Sequence, residues 1–386
     1  MAAADLGDGQ IKRKSAAMSF DYRGKSDAKN NAAVHSWHGG SWIRCLARFS
    51  WECRLLGLCS VFCATLLPSL LTEAIAQPAE MSPLQLETKI ALGDVRGRID
   101  HMAVDLKRQR LFVAELGNDS VGVVDLANRK LLQTITGLKE PQGVGYEPST
   151  DTLYVANAGD GSVRLFEGNE YKPNGQIELG SDADNVRVDP AANRILIAHG
   201  SGALAVIDPT TRSKVGDIPV KAHPEGFQID HDIGQVFVNV PDAHGIAVVD
   251  RASQRQTGKW PIPDHDANFP MALDPVRRQV LVIFRAPAEL GVFSMTGGKL
   301  IATAESCGDA DDLFVDMKRG RVYVSCGAGF LDVFEAKGTT YRRIARIPTV
   351  SGARTSLLVP ELDRLLVAVR TNAAEPAAIW MFRPIP

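Results

Sequence analysis

Four short strands and the turns between them can be read in residues 185–218, NVRVDPAANRILIAHGSGALAVIDPTTRSKVGDI. Residues 185–190 are a short strand that ends in an Asp-Pro turn. Residues 195–199 are too apolar to have a solvated face, which is typical of a strand buried between two sheets. Two further strands follow, at residues 204–208 and 214–218. The stretch therefore predicts one four-stranded antiparallel sheet.

The same pattern occurs seven times between Leu92 and the C-terminus. The first strand of each copy ends at a marker residue: Asp105, Glu147, Asp189, Asp230, Asp274, Asp316 and Pro360. Successive markers are 42, 42, 41, 44, 42 and 44 residues apart. A period in this range, with strands and no helical pattern in each unit, indicates radially repeated β-structure. The predicted fold is therefore all-β, a seven-bladed β-propeller of four-stranded antiparallel blades.

The two ends of the repeat array are complementary. The seventh copy stops after its third strand, residues 378–382, whereas an isolated strand at residues 86–92 precedes the first copy. Pairing these two strands closes the ring and leaves no blade edge unpaired. We therefore expect the N-terminal strand to complete the seventh blade, and the propeller to occupy residues 77–386.

The second copy carries a more specific signature. Tyr154-Val-Ala-Asn157 is followed by Gly159-Asp-Gly-Ser-Val163, and Asp-Pro turns occur at residues 189–190 and 274–275. These motifs resemble those of the YVTN-repeat (YncE-like) β-propeller family, over about residues 84–386. Members of that family are mostly structural or binding proteins, so the resemblance implies a binding or scaffold role.

The first 76 residues differ from the repeats. Residues 1–43 are polar and show no periodicity, as expected of a disordered leader or of a start codon assigned too early. In residues 44–76 a basic flank precedes the apolar run 55–71 and the small-residue pattern Ala74-Ile-Ala76. This order predicts a secretory signal peptide that leaves Gln77 as the mature N-terminus. Retention as an anchor and lipidation of a cysteine are the alternatives. Cleavage would leave no stable membrane span and would place the protein in the periplasm or outside the cell.

The charge of the mature chain argues against a polyanionic partner. Residues 77–386 contain 34 basic and 39 acidic residues, which give a net charge of about −5. Such a chain has no general electrostatic attraction to nucleic acid or to an anionic membrane. We expect a monomer that binds a small molecule, a protein or a peptide.

The repeat register predicts which polar side chains meet at one mouth of the central channel. The loop leading into each first strand lies on the same propeller face as the loop that follows each second strand. The candidate ligand-binding residues at these positions are Asp100, His101, Glu115, Gln142, Asn157, Asp184, Asn185, His199, Glu225, Asn268, Arg285, Asp311, Arg354 and Arg370.

Some of these residues are typical metal ligands. Asp184, Asn185, Glu225 and Asp311 are oxygen donors that suit Ca²⁺ or Mg²⁺. His101 and His199 beside carboxylates suit Zn²⁺. A divalent cation is thus a possible cofactor, while solvated turn residues are the alternative interpretation.

The basic residues near the mouth also allow two interpretations. Arg285, Arg354 and Arg370 could clamp an anionic ligand, or pair with Asp311 and Asp312 of the intervening copy. His223 and His265 each precede a turn, and we expect them to be exposed loop histidines.

Two cysteines remain in the mature chain, Cys307 and Cys326. The register places both on the same face of the sixth blade, so we expect a disulfide; two separate buried thiols are the alternative. Whether the protein is an enzyme stays open. A binding or scaffold propeller needs only the polar mouth. A metal-dependent enzyme of the lactonase or lyase type would use an acidic and histidine-containing site at the same place.

Overall fold

The computed structural model describes residues 82–373 and 375–386. Its strands form seven antiparallel sheets of four strands each, which confirms the predicted seven-bladed propeller. The predictions for the leader at 1–43 and the signal peptide at 44–76 lie outside the described residues, as do residues 77–81.

The inner half of each blade consists of a short strand beside the channel and a buried second strand. The innermost strands are β2 (Met102–Asp105), β6 (Pro141–Glu147), β10 (Val186–Asp189), β14 (Phe227–Asp230), β18 (Asp266–Asp274), β22 (Ala310–Asp316) and β26 (Thr355–Val359). The second strands are β3 (Arg110–Glu115), β7 (Thr152–Asn157), β11 (Arg194–His199), β15 (Gln235–Val240), β19 (Gln279–Ala286), β23 (Arg321–Cys326) and β27 (Arg364–Val369).

The outer half adds a third strand and a solvent-facing fourth strand. The third strands are β4 (Ser120–Asp125), β8 (Ser162–Glu167), β12 (Ala203–Asp208), β16 (Gly245–Asp250), β20 (Ala288–Ser294), β24 (Phe330–Lys337) and β28 (Ala378–Pro384). The outermost strands are β5 (Lys130–Thr136), β9 (Lys172–Glu178), β13 (Ser213–Pro219), β17 (Arg255–Pro261), β21 (Leu300–Glu305), β25 (Thr340–Pro348) and β1 (Leu84–Ala91). Short 3₁₀ turns occur at Leu116–Asn118, Pro241–Ala243 and Pro360–Leu362.

The core lies between neighbouring blades rather than inside one sheet. Phe112 and Val123 of the first blade pack in one cluster with Leu153 and Val155 of the second. Both faces of the second and third strands are covered in this way, which explains why their sequences are nearly continuous apolar runs. Each blade therefore depends on its neighbours for burial.

β1 closes the ring as predicted. It pairs antiparallel with β28, from Leu84 opposite Pro384 to Ala91 opposite Ala378. Ile90 is buried among residues of blades one and seven, and Lys89 lies 4.1 Å from the centre of the Trp380 ring. The N-terminal strand thus covers the edge that the C-terminal copy would otherwise leave open.

The marker residues lie at the propeller face opposite the candidate site. The Asp105 carboxylate accepts hydrogen bonds from the backbone and the side chain of Arg108, and the same guanidinium reaches Asp151 of the next blade at 2.7 Å. Arg319 joins Asp316 to Asp363 in the same manner. The repeated Asp therefore fixes a turn, and it also helps to hold neighbouring blades together.

Candidate functional site

The predicted mouth is built from two sets of loops that hydrogen-bond to each other. The Gly117 N–H donates to the Arg98 carbonyl at 2.9 Å, and the Gly327 N–H donates to the Asp309 carbonyl at 2.7 Å. The loops leading into the first strands and those following the second strands therefore meet at one face.

Two cavities follow the channel axis. The larger one, about 620 Å³, runs between the innermost strands. The smaller one, about 30 Å³, lies toward the mouth, and Asn185, Glu225 and Asp311 are among the residues that line it. His101, Arg187 and Asp312 line both cavities, so they form a polar constriction between the mouth and the channel.

Asp184, His223 and Glu225 converge beside this constriction. One ligand-type atom from each side chain lies within 4.8 Å of the other two. The backbone fixes two of them, because the Asp184 N–H donates to the Ala198 carbonyl and the Glu225 N–H to the Asn239 carbonyl, both at 2.9 Å. His223 Nδ1 lies 2.6 Å from the Gly200 carbonyl oxygen, and its Nε2 lies 4.0 Å from Asp184 Oδ2.

Burial and mutual interactions shift the ionisation of all three side chains. Burial raises the pKa of Glu225 to about 8, and the nearby Asp184 carboxylate adds to this shift. Burial lowers the pKa of His223, but Asp184, the Gly200 carbonyl and Asp182 outweigh it and raise the value to about 9. Burial likewise opposes ionisation of Asp184, yet His223 and His101 hold its pKa below the ordinary value. At neutral pH Glu225 and His223 therefore each hold a proton beside the ionised Asp184, and a bound cation would replace one or both of these protons.

His101 lies close to three carboxylates of the mouth, one of which is Asp184. Its Nε2 lies 3.7 Å from Asp100 and 3.9 Å from Asp184, and its Nδ1 lies 3.8 Å from Asp312. Burial disfavours the imidazolium, but Asp100 and Asp312 outweigh it and raise the pKa of His101. Burial raises the pKa of Asp312 to about 7. Both shifts follow from burial of ionisable groups close together.

Two of the predicted arginines are neutralised by the sixth blade. Arg285 lies 2.6 Å from Asp311 and stacks on Phe269, with 4.0 Å between the guanidinium carbon and the ring centre. Arg354 bridges Asp309 at 2.9 Å and Asp311 at 3.0 Å. These ion pairs agree with the interpretation that the arginines pair with acids of the sixth blade and do not clamp an anionic ligand.

The four proposed oxygen donors for a cation separate into two groups. Asp184 and Glu225 lie together, and Asn185 lines the small cavity with Glu225. Asp311 lies with the arginines instead. The Asn185 side chain is buried, and its Oδ1 atom accepts no hydrogen bond from any residue that the structure describes.

Several other candidate residues make contacts within a blade or between loops instead of facing the ligand-binding mouth. Glu115 is buried and accepts a hydrogen bond from Ser120 at 2.6 Å. His199 faces Asp217 of the outermost strand at 2.9 Å, away from the trio. The side chain of Asn157 bonds the backbone of Lys139 and Ser162, and that of Asn268 bonds Asn239.

The last two candidates, Gln142 and Arg370, also lie at the mouth. Gln142 is half-buried, and its carbonyl accepts the His101 N–H at 3.2 Å. Arg370 is half-buried beside Gly352, where a Cβ atom would overlap its guanidinium.

The expectation of exposed loop histidines is wrong for His223 and His265. Only 21% of the His223 side chain and 13% of the His265 side chain are exposed. Neighbouring loops cover His223 through Gly200 and Asp182, and the Phe284 ring packs against His265 with 4.3 Å between ring centres. The sequence His223-Pro-Glu225, which places the histidine two residues before a predicted site carboxylate, was the signal that could have indicated a buried His223 at the mouth. Arg98, Arg187 and Asp309 were also missed.

Cys307 and Cys326 form a disulfide with 5.9 Å between their Cα atoms. Cys307 precedes β22, and Cys326 ends β23. The bond therefore ties the loop that carries Asp309 and Asp311 to the adjacent second strand.

No helix in the described ranges is long and apolar enough to cross a membrane. No family model matches the chain, and no curated protein matches its sequence. Solved structures do resemble it. A Kuenenia stuttgartiensis hydrazine synthase chain is 18% identical, with a TM-score of 0.64, over 73% of this chain and 97% of that chain.

A chain from the crystal structure of a mitotic checkpoint complex is 12% identical, with a TM-score of 0.66. The match covers 82% of this chain and 98% of that chain. At such identities the likeness concerns the fold alone, the seven-bladed β-propeller.

Proposed function

We propose that this protein is a binding propeller whose channel mouth recognises a small, positively charged ligand. The YVTN-type repeat pattern supports a binding role. The nature of the ligand follows from the charges at the mouth.

One observation carries this proposal. The Glu225 carboxylate has no hydrogen-bond or ion-pair partner in residues 82–373 and 375–386, and it faces Asp184. In contrast, Asp100 and Asp311 each have an arginine within 3.0 Å. A partly buried carboxylate beside a second one is unfavourable unless a proton or a cation joins them. The raised pKa of Glu225, about 8, means that a proton joins them at neutral pH, and a ligand with a positive group can take the place of that proton.

The surrounding surface favours the same sign of ligand. The loops on this face carry exposed acidic residues in five of the seven blades: Asp94, Asp119, Glu140, Asp160, Asp182, Asp242, Asp264 and Asp266. The exposed basic residues of the same loops are fewer: Arg96, Lys139 and Lys221. An acidic rim raises the local concentration of cations and speeds their encounter with the mouth.

Calorimetric titration of the full chain tests the proposal with matched probes. We expect 1,4-diaminobutane or a divalent cation to bind with one site per chain, and succinate, a dianion of similar size, not to bind. Glu225→Gln keeps the shape of the side chain and removes its charge, so it should abolish binding.

The matched control is Asp242→Asn, which removes one carboxylate from the same face but outside the trio. This variant should change the affinity for the diamine or the cation by less than about twofold, because Asp242 is exposed and salt screens its charge. Binding that survives Glu225→Gln, or the absence of binding by the diamine and by every divalent cation, would contradict the proposed function.

We also propose that the protein is exported, since residues 44–76 have the order of a signal peptide. Mass spectrometry of the protein from its native host should then find Gln77 at the N-terminus. An intact leader in the mature protein would contradict export by cleavage.

A further inference from the structure

We infer that Asp184, His223 and Glu225 form a binding site for a first-row divalent cation such as Mn²⁺ or Zn²⁺, with Asn185 available as a fourth donor. The inference rests on the proposed function and names the class of its positive ligand. It differs from the set expected from the sequence, because His223 replaces Asp311.

The geometry of the three side chains suits an ion. Their ligand atoms lie within 4.8 Å of one another, in loops that precede β10 and β14. Metal–ligand distances of about 2.0–2.2 Å put neighbouring ligand atoms about 3–4 Å apart. Side-chain rotations that move the ligand atoms by about 1 Å would therefore complete the site. Backbone hydrogen bonds from Asp184 and Glu225 to their own second strands keep the loops in place during this adjustment.

The orientation of His223 is that of a metal ligand. Nδ1 lies against the Gly200 carbonyl, to which it donates its proton, so Nε2 is the nitrogen that faces Asp184. Because the pKa of His223 is raised to about 9, a cation that binds Nε2 must displace a proton from it at neutral pH. Histidine ligands commonly donate their other ring N–H to a backbone carbonyl or carboxylate, which fixes the tautomer and the ring orientation. Asp182 lies 3.5 Å from the same Nδ1 atom and reinforces this arrangement.

Asn185 provides an independent observation. Its side chain is 2% exposed, and its Oδ1 atom has no partner among the described residues. Buried polar atoms in proteins are almost always hydrogen-bonded or coordinated. This oxygen adjoins the small cavity that Glu225 also lines, and the cavity volume of about 30 Å³ has room for an ion or a water molecule. A hydrated cation in the cavity would satisfy the amide oxygen.

The donor set selects among cations. Ca²⁺ and Mg²⁺ prefer sites made of oxygen alone, whereas an imidazole nitrogen with two carboxylates suits Zn²⁺, Mn²⁺ and similar ions. Three protein side chains also leave coordination positions open toward the mouth. An organic ligand could therefore bind the ion directly, which would link cation binding to recognition of a second molecule.

Metal titration of the full chain tests the site. The protein is first freed of metal with EDTA, then titrated with MnCl₂ or ZnCl₂ by calorimetry, and bound metal is counted after gel filtration. We expect one ion per chain. His223→Asn and Glu225→Gln should each weaken binding by more than about 100-fold, which exceeds the usual effect of residues outside the ligand shell.

His244→Asn is the matched control for His223→Asn. His244 lies on the same face, but 68% of its side chain is exposed and it pairs with Asp266. Its backbone φ of 48° is one that asparagine tolerates. This variant should retain the affinity of the unchanged protein. The isosteric Glu225→Gln variant keeps the test valid if His223→Asn fails to fold.

The outcomes separate the inference from the proposed function. If Mn²⁺ and Zn²⁺ do not bind, or bind equally well to Glu225→Gln, the inference is wrong. The proposed function stands in that case if 1,4-diaminobutane still binds in a manner that depends on Glu225. If neither the metals nor the diamine bind, both proposals fail.

Discussion

At the scale of single residues, Asp312 shows how the fold forces a carboxylate into a costly position. Its Oδ2 atom accepts the Ser356 N–H at 2.7 Å, and its Oδ1 atom lies 3.8 Å from His101 Nδ1. Burial and the neighbouring Asp311 raise its pKa to about 7, while His101 and Arg187 only partly offset them. A buried carboxylate with such neighbours is stabilised by a proton.

Replacing Asp312 by asparagine should make stability less dependent on pH. Because the folded-state pKa is about 7 and the unfolded value is 3.8, the native protein holds a proton here that the unfolded chain has lost. The contribution of this group to stability is therefore greatest below about pH 4 and is lost as the pH rises from 4 through 7. We expect Asp312→Asn to be about 2 kcal/mol more stable than the unchanged protein at pH 8, with no gain at pH 4. Urea unfolding at pH 4, 6 and 8 measures this, and parallel pH profiles would contradict it.

At the scale of elements, blade six supplies three carboxylates that organise the arginines and the seventh blade at the mouth. The loop before β22 carries Asp309 and leads to Asp311 and Asp312, which bind Arg285, Arg354 and the Ser356 N–H. The disulfide anchors this loop to the end of β23. One covalent bond thus restrains the position of three carboxylates.

Removing the disulfide should destabilise the protein and loosen that loop. The cysteines are 19 residues apart, and closing a loop of this length is worth about 3 kcal/mol by its effect on the unfolded chain. We expect the double change Cys307→Ala and Cys326→Ala to lower the unfolding free energy by about that amount in guanidinium. The unchanged protein under reducing conditions should lose as much. A loss below about 1 kcal/mol in both experiments would mean that the bond is not formed in solution.

At the scale of the whole molecule, stability depends on closing the ring. Glu87 of β1 pairs with Arg364 and Arg383 of blade seven, and Leu84 packs in one cluster with Trp380 and Phe382. These contacts join residues about 280 to 300 positions apart in the chain. A rigid ring is needed to keep loops from six or seven blades aligned at one mouth.

Deleting β1 should therefore have an effect far beyond its eight residues. A chain that starts at residue 92 exposes the edge of β28 and the apolar groups that Ile90 covers. We expect it to aggregate, or to melt more than about 10 °C below a control chain that starts at residue 82 and keeps β1. Thermal unfolding and light scattering measure this. Equal melting temperatures would show that the ring does not need the strand.

The sequence predicted the features that repeat and missed those that depend on contacts between loops. The period located every first strand, and the missing fourth strand of the last copy predicted closure by β1. His223 was misjudged because its burial comes from Gly200 and Asp182, which belong to the preceding blade. No local pattern encodes such a contact.

The register also could not predict which way side chains point at the ends of the second strands. These strands lie one position away from the channel, so Glu115, Asn157 and His199 turn into their own blades or toward the outer strands. Residues of the first strands and the loops before them face the axis directly. This explains why Asp184 and Glu225 reach the mouth, while Glu115, Asn157 and His199 do not.

The central claim is that Asp184, His223 and Glu225 hold a cation at the channel mouth. Anomalous diffraction from crystals of the full chain grown with MnCl₂ or ZnCl₂ tests it most directly, because the signal locates the ion itself. We predict one anomalous peak about 2.0–2.2 Å from His223 Nε2 and from an oxygen of each carboxylate. The absence of a peak there, or the same peak in crystals of Glu225→Gln, would contradict the claim.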